Sequence, residues 1–244
     1  MSPESGSVHV GTSGWSYDDW TGRFYPANLA PRERLTYYAE RFDTVELNAS
    51  FYRVPFAGMV AGWNRRLPET FHFVAKGHRR ITHYRKLVDV EEELERTLER
   101  LLEIRTLRVV LWQLPPSLHR DVMRLEGFLT LLPESVRHAF EFRHPSWWCD
   151  EVRELLGHHR AAFVSVSHPK LPSDVVVSTD FLYTRFHGLG RRLYDYDYPD
   201  TELSEWAERF RPHLSGRTLY AFFNNDIDAN APANALRLIS LLKE

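Results

Sequence analysis

Apolar residues in this chain cluster in eight short runs, at residues 8–13, 44–48, 71–76, 109–114, 138–143, 162–167, 181–187 and 219–224. Each has the length and the β-branched and aromatic content of a strand. Between most of them the apolar spacing changes to a helical period. Residues 31–41 begin on Pro31, a favourable first helical position, and place Leu35 and Tyr38 on one face. Residues 56–66 follow Pro55. Residues 90–105 carry Leu94, Leu98, Leu101 and Leu102 at helical spacing, with acids in the first turn and Arg105 at the end. That polarity complements the helix dipole. Further helices are expected at 120–132, 145–158, 201–214 and 230–242. After Ser167, Pro169 and Pro172 leave room for a short helix or none.

Strand and helix alternating eight times predict parallel strands joined by helical crossovers. In one domain of 244 residues, this argues for a closed (β/α)8 TIM-barrel-like fold. The rival, an open doubly wound sheet, lacks a Gly-x-Gly-x-x-Gly after the first strand in its dinucleotide-binding form. No linker, repeat or low-complexity tract divides residues 1–244, and residues 1–6 are expected to be a disordered leader.

Several runs end on polar residues at alternate positions: Glu46 and Asn48, Glu141 and Arg143, Arg185 and His187. Residues two apart on a strand share a face. In a sheet covered by helices neither face meets water, and buried charge must be paired or used. In a barrel the strand C-termini form the active face. Thr12, Ser13, Glu46, Asn48, Lys76, Gln113, Glu141, Arg143, Ser167, Arg185, His187, Asn224 and Asn225 would gather there.

Two carboxylates against Lys76, Arg143 and Arg185 leave a positive excess that suits a phosphate or carboxylate. Glu46 or Glu141 is the expected general base, with His187 as acid or orienting donor. The plainer alternative is that Glu141–Arg143 and Glu46–Arg185 are ion pairs closing the barrel interior.

Composition narrows the classes. Hydrophobic residues make up 43% and aromatics 14% of the chain, enough for a sizeable core, and the net charge is −2. A sequence pI of about 6.6 is no global nucleic-acid footprint. The single cysteine, Cys149, excludes an intramolecular disulfide and is expected to be inert. The first residues lack the basic start and apolar core of a secretory signal, and no run approaches the ~20 apolar residues of a membrane span. A cytoplasmic protein is expected, with no membrane partner. Nothing in the sequence sets the oligomeric state.

No cofactor is expected. A divalent metal held by Glu46, Glu141, His187 and Asn224 is not favoured, because metal-binding histidine spacing is missing and three cations lie close by.

Three loops on the expected active face are unusual. Residues 14–30 contain Trp15, Tyr17, Trp20, Phe24 and Tyr25; residues 76–86 are strongly basic; residues 188–199 contain Arg191, Arg192 and three tyrosines. Aromatic and basic loops suit sugar-ring or nucleotide contact. They could equally plug the barrel, lie on the surface or form a mobile lid. Trp147 is placed near the mouth as a stacking residue, and Trp148 against the barrel.

The chain resembles a known family at Gly11-Thr12-Ser13-Gly14-Trp15-Ser16-Tyr17, Val45-Glu46-Leu47-Asn48-Ala49-Ser50-Phe51-Tyr52, Ile81-Thr82-His83, Gln113-Leu114-Pro115-Pro116, Phe140-Glu141-Phe142-Arg143-His144-Pro145-Ser146-Trp147, Arg185-Phe186-His187-Gly188 and Phe222-Phe223-Asn224-Asn225. Together these look like the YecE-like family, domain of unknown function 72. The resemblance implies a TIM-barrel-like fold and supplies no reaction. It departs before the last helix, where similar proteins tend to carry a glycine and this chain has Asn230-Ala231-Pro232. Proline fixes a different turn there, so no backbone-amide ligand contact is expected from that loop.

The leading expectation is an enzyme or ligand-binding barrel for a small anionic or sugar-like molecule, by hydrolysis, isomerisation or lysis. Glu46, Glu141 and His187 are its expected catalytic groups. Thr12, Trp15, Asn48, Tyr52, Lys76, His83, Gln113, Arg143, Trp147, Arg185 and Asn224 are expected to bind substrate. The alternatives are a nucleic-acid-binding or processing protein using the basic loop 76–86, and a non-catalytic metabolite-binding protein.

Overall fold

The structure is a computed structural model describing residues 6–192 and 194–244. The expected leader lies, but for Gly6, outside the described residues.

The eight strands are β1 (Val8–Thr12), β2 (Thr44–Leu47), β3 (His72–Lys76), β4 (Leu107–Leu114), β5 (Arg137–Phe142), β6 (Ala162–Ser167), β7 (Phe181–Phe186) and β8 (Thr218–Phe223). All paired neighbours are parallel, in the order β1-β8-β7-β6-β5-β4-β3-β2. The remaining seam, β1 against β2, is joined by a single bridge between Ser13 and Glu46, where the Gly14 amide donates to the Glu46 carbonyl at 2.8 Å. The result is a nearly closed (β/α)8 TIM-barrel-like fold.

The helices are α1 (Arg34–Ala39), α2 (Ala49–Tyr52), α3 (Ala57–Arg66), α4 (Glu91–Leu102), α5 (Val122–Leu129), α6 (Asp150–His158), α7 (Asp200–Phe210) and α8 (Asn230–Lys243). Helix α4 follows its sequence pattern. Leu94, Leu98 and Leu101 are buried, three glutamates open it, and Arg100 lies in its last turn. Asp121 caps α5, its carboxylate accepting from the Arg124 amide at 3.1 Å. No helix lies between β6 and β7. Two short elements escape the sequence pattern: α2, a single turn, and a π-helical turn at Arg80–Tyr84 that buries Ile81 and Thr82 inside the basic loop. No helix of the described residues is long and apolar enough to cross a membrane.

Strand alternation sorts the core into two shells. Val74, Val109, Leu111, Ala139, Val164, Tyr183 and Phe222 fill the barrel interior. Val45, Phe73, Val110, Trp112, Phe140, Phe163, Leu182 and Phe223 face the helices. The apolar interior layer stops near the C-terminal strand ends, and there the inward positions become Glu46, Lys76, Gln113, Glu141 and Arg185.

Candidate active site

Arg185 is the centre of the mouth. It projects inward from β7, is almost completely buried, and donates from one terminal nitrogen to Glu141 Oε2 at 2.5 Å and from the other to Glu46 Oε1 at 2.6 Å. Glu46 also accepts from Ser13 Oγ at 2.7 Å and from the Tyr183 hydroxyl at 2.5 Å. Glu141 Oε1 accepts from Gln113 Nε2 at 3.2 Å and pairs with Arg143 Nε. Both carboxylates are fully buried. Each is surrounded by donors, which is what makes burying them tolerable.

His187 extends this network toward the rim. Its Nε2 lies 3.1 Å from Glu141 Oε1, and its Nδ1 lies 3.3 Å from Asn224 Nδ2. Arg143 Nη2, a donor, lies 3.0 Å from Nε2 and 3.4 Å from Nδ1. A proton on Nε2 lets the ring donate to Glu141 and leaves Nδ1 to accept from Asn224 and Arg143; the tautomer is assigned from these contacts. Asn224 Oδ1 in turn accepts from Asn48 Nδ2 at 3.4 Å. A chain of polar contacts thus runs from the rim to the buried Glu141.

Electrostatics follow from burial and the nearby cations. Burial alone would raise the Glu141 pKa, but Arg143, Arg185 and His187 outweigh it and hold the carboxyl well below its usual value. Burial opposes the Arg185 charge, yet Glu46 and Glu141 raise its pKa further. Burial, then Arg143, depresses His187, so the ring is neutral at pH 7. The Tyr183 phenol is driven up by burial and by Glu46. The Glu141 carboxylate is thereby held as an anion and has little capacity to take up a proton.

Lys76 stands apart. It closes β3, is 8% exposed, and has its ammonium 4.1 Å from the Phe51 ring centroid. Among the described residues it forms no ion pair and no side-chain hydrogen bond. Burial lowers its pKa to about 7, with Arg185 pushing the same way against the partial opposition of Glu141 and Glu46. Asp226 is displaced in the opposite sense, its pKa raised chiefly by burial.

These groups meet solvent in a cleft of about 280 Å³ lined by Tyr17, Asn48, Tyr52, Lys76, Gln113, Arg143, Arg185, Tyr194, Asn224 and Asp226. Gln113, Arg143 and Tyr194 also line an adjoining cleft of about 680 Å³. Its other charged and titratable residues are His83, His168, Lys170 and Arg191, with no carboxylate among its lining residues. The His83 pKa is lowered to about 4, by burial and then by Lys76.

Of the residues expected from sequence, Glu46, Asn48, Tyr52, Lys76, His83, Gln113, Glu141, Arg143, Arg185, His187 and Asn224 converge on this mouth. Glu46, Glu141 and His187 lie beneath the cleft linings, in contact with Arg185 and Arg143, and three other expected residues stand apart from the mouth. Trp147 is fully buried, stacks on Phe142 at 4.8 Å and donates Nε1 to the Leu118 carbonyl, so it has no surface to offer a ligand. Thr12 is buried behind the barrel against the Tyr38 hydroxyl. Trp15 packs edge-on to Trp63 and Phe73. Sequence reasoning missed Asp226 as a site residue and placed Tyr17 and Tyr194 only in their loops. Asp226 lies two residues beyond Asn224, at the spacing that marked the other strand ends.

Two of the three unusual loops are anchored by side-chain hydrogen bonds. Trp20 of the first donates to the Asp226 carbonyl at 2.8 Å. In the third, Tyr198 donates to Ser167 Oγ at 2.8 Å, leaving Tyr194 at the cleft lip. Among the described residues, no group of three or more His, Cys, Asp or Glu is placed to hold a metal ion.

A parallel eight-stranded barrel with a polar mouth at its strand C-termini is the architecture of TIM-barrel proteins that bind ligands at that face. The family described as "Protein of unknown function DUF72" matches residues 9–244, and the chain belongs to it. A DUF72 family protein from Thermotoga maritima MSB8 is similar in structure, with a TM-score of 0.85 and 34% identity over 98% of this chain and 100% of that one. One from Enterococcus faecalis V583 shares the fold, with a TM-score of 0.81 at 21% identity over 97% and 96% of the two chains. The UPF0759 protein YunF of Bacillus subtilis strain 168 is 26% identical, covering 96% of this chain and 94% of its own.

Proposed function

We propose that the chain is an enzyme acting on a small anionic metabolite, phosphate- or carboxylate-bearing and sugar-like in size, at the barrel mouth. The supporting observation is the charge of the joined clefts. Lys76, Lys170 and Arg191 line them with no ion pair among the described residues, beside Arg143, against the single unpaired carboxyl of Asp226, because Glu46 and Glu141 are already occupied by Arg185 and Arg143. The cleft volumes suit a small molecule.

In this reading Arg143 presents its guanidinium to the substrate anion, while Asn48, Gln113 and Asn224 orient hydroxyl groups. Glu46, Glu141 and His187 act through the arginines they hold in place. Lys76 and Asp226 handle protons, since their environments move an amine and a carboxyl toward neutral pH from opposite sides.

The test is a thermal-shift screen with inorganic phosphate, phosphorylated trioses and hexoses, and sugar acids. A ligand at 100 times its Kd adds about 2.7 kcal/mol to stability. Stabilisation is expected from one class of anion, and it should be weakened in Arg143→Gln and Arg191→Ala, each compared with its own unliganded melting point. If no anion stabilises the protein, or if both variants respond like the parent, the reading fails.

A nucleic-acid reading draws on one feature. Arg79 lies 5.3 Å from the ring centroid of Tyr52, which lines the cleft, and 5.4 Å from that of Tyr84; both rings are exposed, an arrangement able to stack bases. Binding of short single-stranded DNA that falls steeply with salt, and is lost in Arg79→Ala, would favour it.

A further inference from the structure

The geometry points to Lys76 as a covalent nucleophile: its ε-amine forms an imine with the aldehyde or ketone carbon of a small anionic carbonyl compound held in the mouth by Arg143. This rests on the proposed anion site and goes beyond it by naming a bond.

The chain contains four lysines against twenty-seven arginines. Arginine fills nearly every cationic position, including the two that pair with the buried carboxylates. Arginine stays charged and is no nucleophile, whereas a desolvated lysine becomes a free amine. Among the described residues, Lys76 is also the cation of the inner cleft that pairs with no anion. Glu46 and Glu141 are taken by Arg185 and Arg143, and the Lys76 ammonium lies over the face of Phe51 with no ion pair among the described residues. A lysine serving as a structural counter-ion would touch a carboxylate. Burial, then Arg185, disfavours its charged form and brings its pKa down to about 7. Arg143 and Gln113 line the same cleft and can hold the anionic end and the carbonyl oxygen.

The step balances without a further reactant. The Nζ lone pair attacks the carbonyl carbon, and the carbon–oxygen π pair moves onto oxygen. Both amine protons pass to that oxygen, with Asp226 of the same cleft as the carrier, and it leaves as water while the C=N bond forms. The electron-withdrawing iminium, produced by protonating this imine, then acidifies the adjacent C–H or weakens the adjacent C–C bond. That assigns the substrate to the class of small 2-oxo acids or phosphorylated aldehydes and ketones.

The experiment is reductive trapping on the full chain. Protein is incubated with pyruvate or dihydroxyacetone phosphate and cyanoborohydride across a pH series, then analysed by intact mass and peptide mapping. Mapping separates Lys76 from Lys86, Lys170, Lys243 and the α-amino group, which titrates in the same range. At pH 7 Lys76 should be labelled more than about tenfold faster than any other lysine, since their free-amine fractions differ by far more than that. The adduct at this position should disappear in Lys76→Arg, a variant that keeps the charge and whose fold is checked by its melting curve. Labelling of Lys76 no faster than that of exposed lysines overturns the inference. If an anion still stabilises parent and Lys76→Arg alike while neither carbonyl probe labels Lys76, the imine falls and the anion site stands. If no anion shifts the melting point either, both fall.

Discussion

Arg185 Nη1 donates to Glu141 Oε2 at 2.5 Å inside the barrel, and the same guanidinium reaches Glu46 with its other terminal nitrogen. One side chain therefore neutralises carboxylates from β2 and β5, strands that are not neighbours. Arg185→Met would leave two buried anions short of donors. A loss of about 3–5 kcal/mol is expected from breaking a buried pair on one side, read as a lower urea midpoint. Arg185→Lys should recover only part, because a single ammonium cannot span both carboxylates in the same geometry. Unchanged stability in Arg185→Met would show that the network contributes nothing to holding the barrel.

Acid should destabilise the protein well before its carboxylates titrate. His72 and His138 have pKa values lowered to about 4, each mainly by burial, and His83 behaves alike. A histidine depressed in the fold binds fewer protons folded than unfolded, so its contribution is intact above its unfolded pKa of about 6.5 and is lost as pH falls toward 4. His138, 8% exposed, alone accounts for a loss on the order of 3 kcal/mol by pH 4. Glu141, depressed by its cations after burial is offset, adds a second loss below the ordinary carboxylate range. Chemical denaturation at stepped pH should show stability declining from about pH 6.5, with His138→Gln flattening that limb. A curve flat to pH 4.5 would contradict these assignments.

Gly77 follows Lys76 where the backbone passes a tryptophan. A Cβ at this position would lie 2.3 Å from the Trp112 ring, which is fully buried. Gly77→Ala should cost about 1–3 kcal/mol through overpacking. It should also displace the Lys76 amine, so its trapping rate and its melting point should fall together. A variant as stable as the parent would mean that Trp112 has room to move.

Ala229 has φ of +63° immediately before α8. Its neighbour Asp228, at φ +60°, belongs to a residue type that tolerates this region, and its amide donates to Asp19 at 3.1 Å. Alanine has no such compensation, and the left-handed conformation costs it about 1–2 kcal/mol. Ala229→Gly is expected to stabilise by up to about 1 kcal/mol after the entropy cost of glycine. A lower melting temperature would refute the strain. The missing glycine noted in the sequence thus has a local counterpart, one residue before the helix that contains Pro232.

All eight strands and the barrel class were legible because each strand is a short apolar run and each long crossover helix has a 3.6-residue stripe. Those signals are local. The polar strand ends were legible for the same reason: alternation fixes which side chains share a face, and the barrel collects the ends of all strands at one rim. The Glu141–Arg143 and Glu46–Arg185 ion pairs of the plainer alternative both occur. Residues off the strands fared differently. Trp147 and Trp15 carry the same aromatic signal as Tyr52, but the first two turn into the core while Tyr52 stays 62% exposed at the rim. Nothing along the chain distinguishes them, because that depends on which helices pack above the loop.

The sequence by itself determined the barrel and the set of charges at its mouth, since periodicity and burial cost act residue by residue. Only the tertiary structure decided how those charges divide. Arg185 saturates Glu46 and Glu141, Arg143 leans on Glu141, and Lys76 is left facing an aromatic ring with Asp226 in the same cleft. Pairing depends on distances between strands far apart in sequence, so identical residues could have left either a free carboxylate or a free amine. Among the strand-end charges the fold left the Lys76 amine.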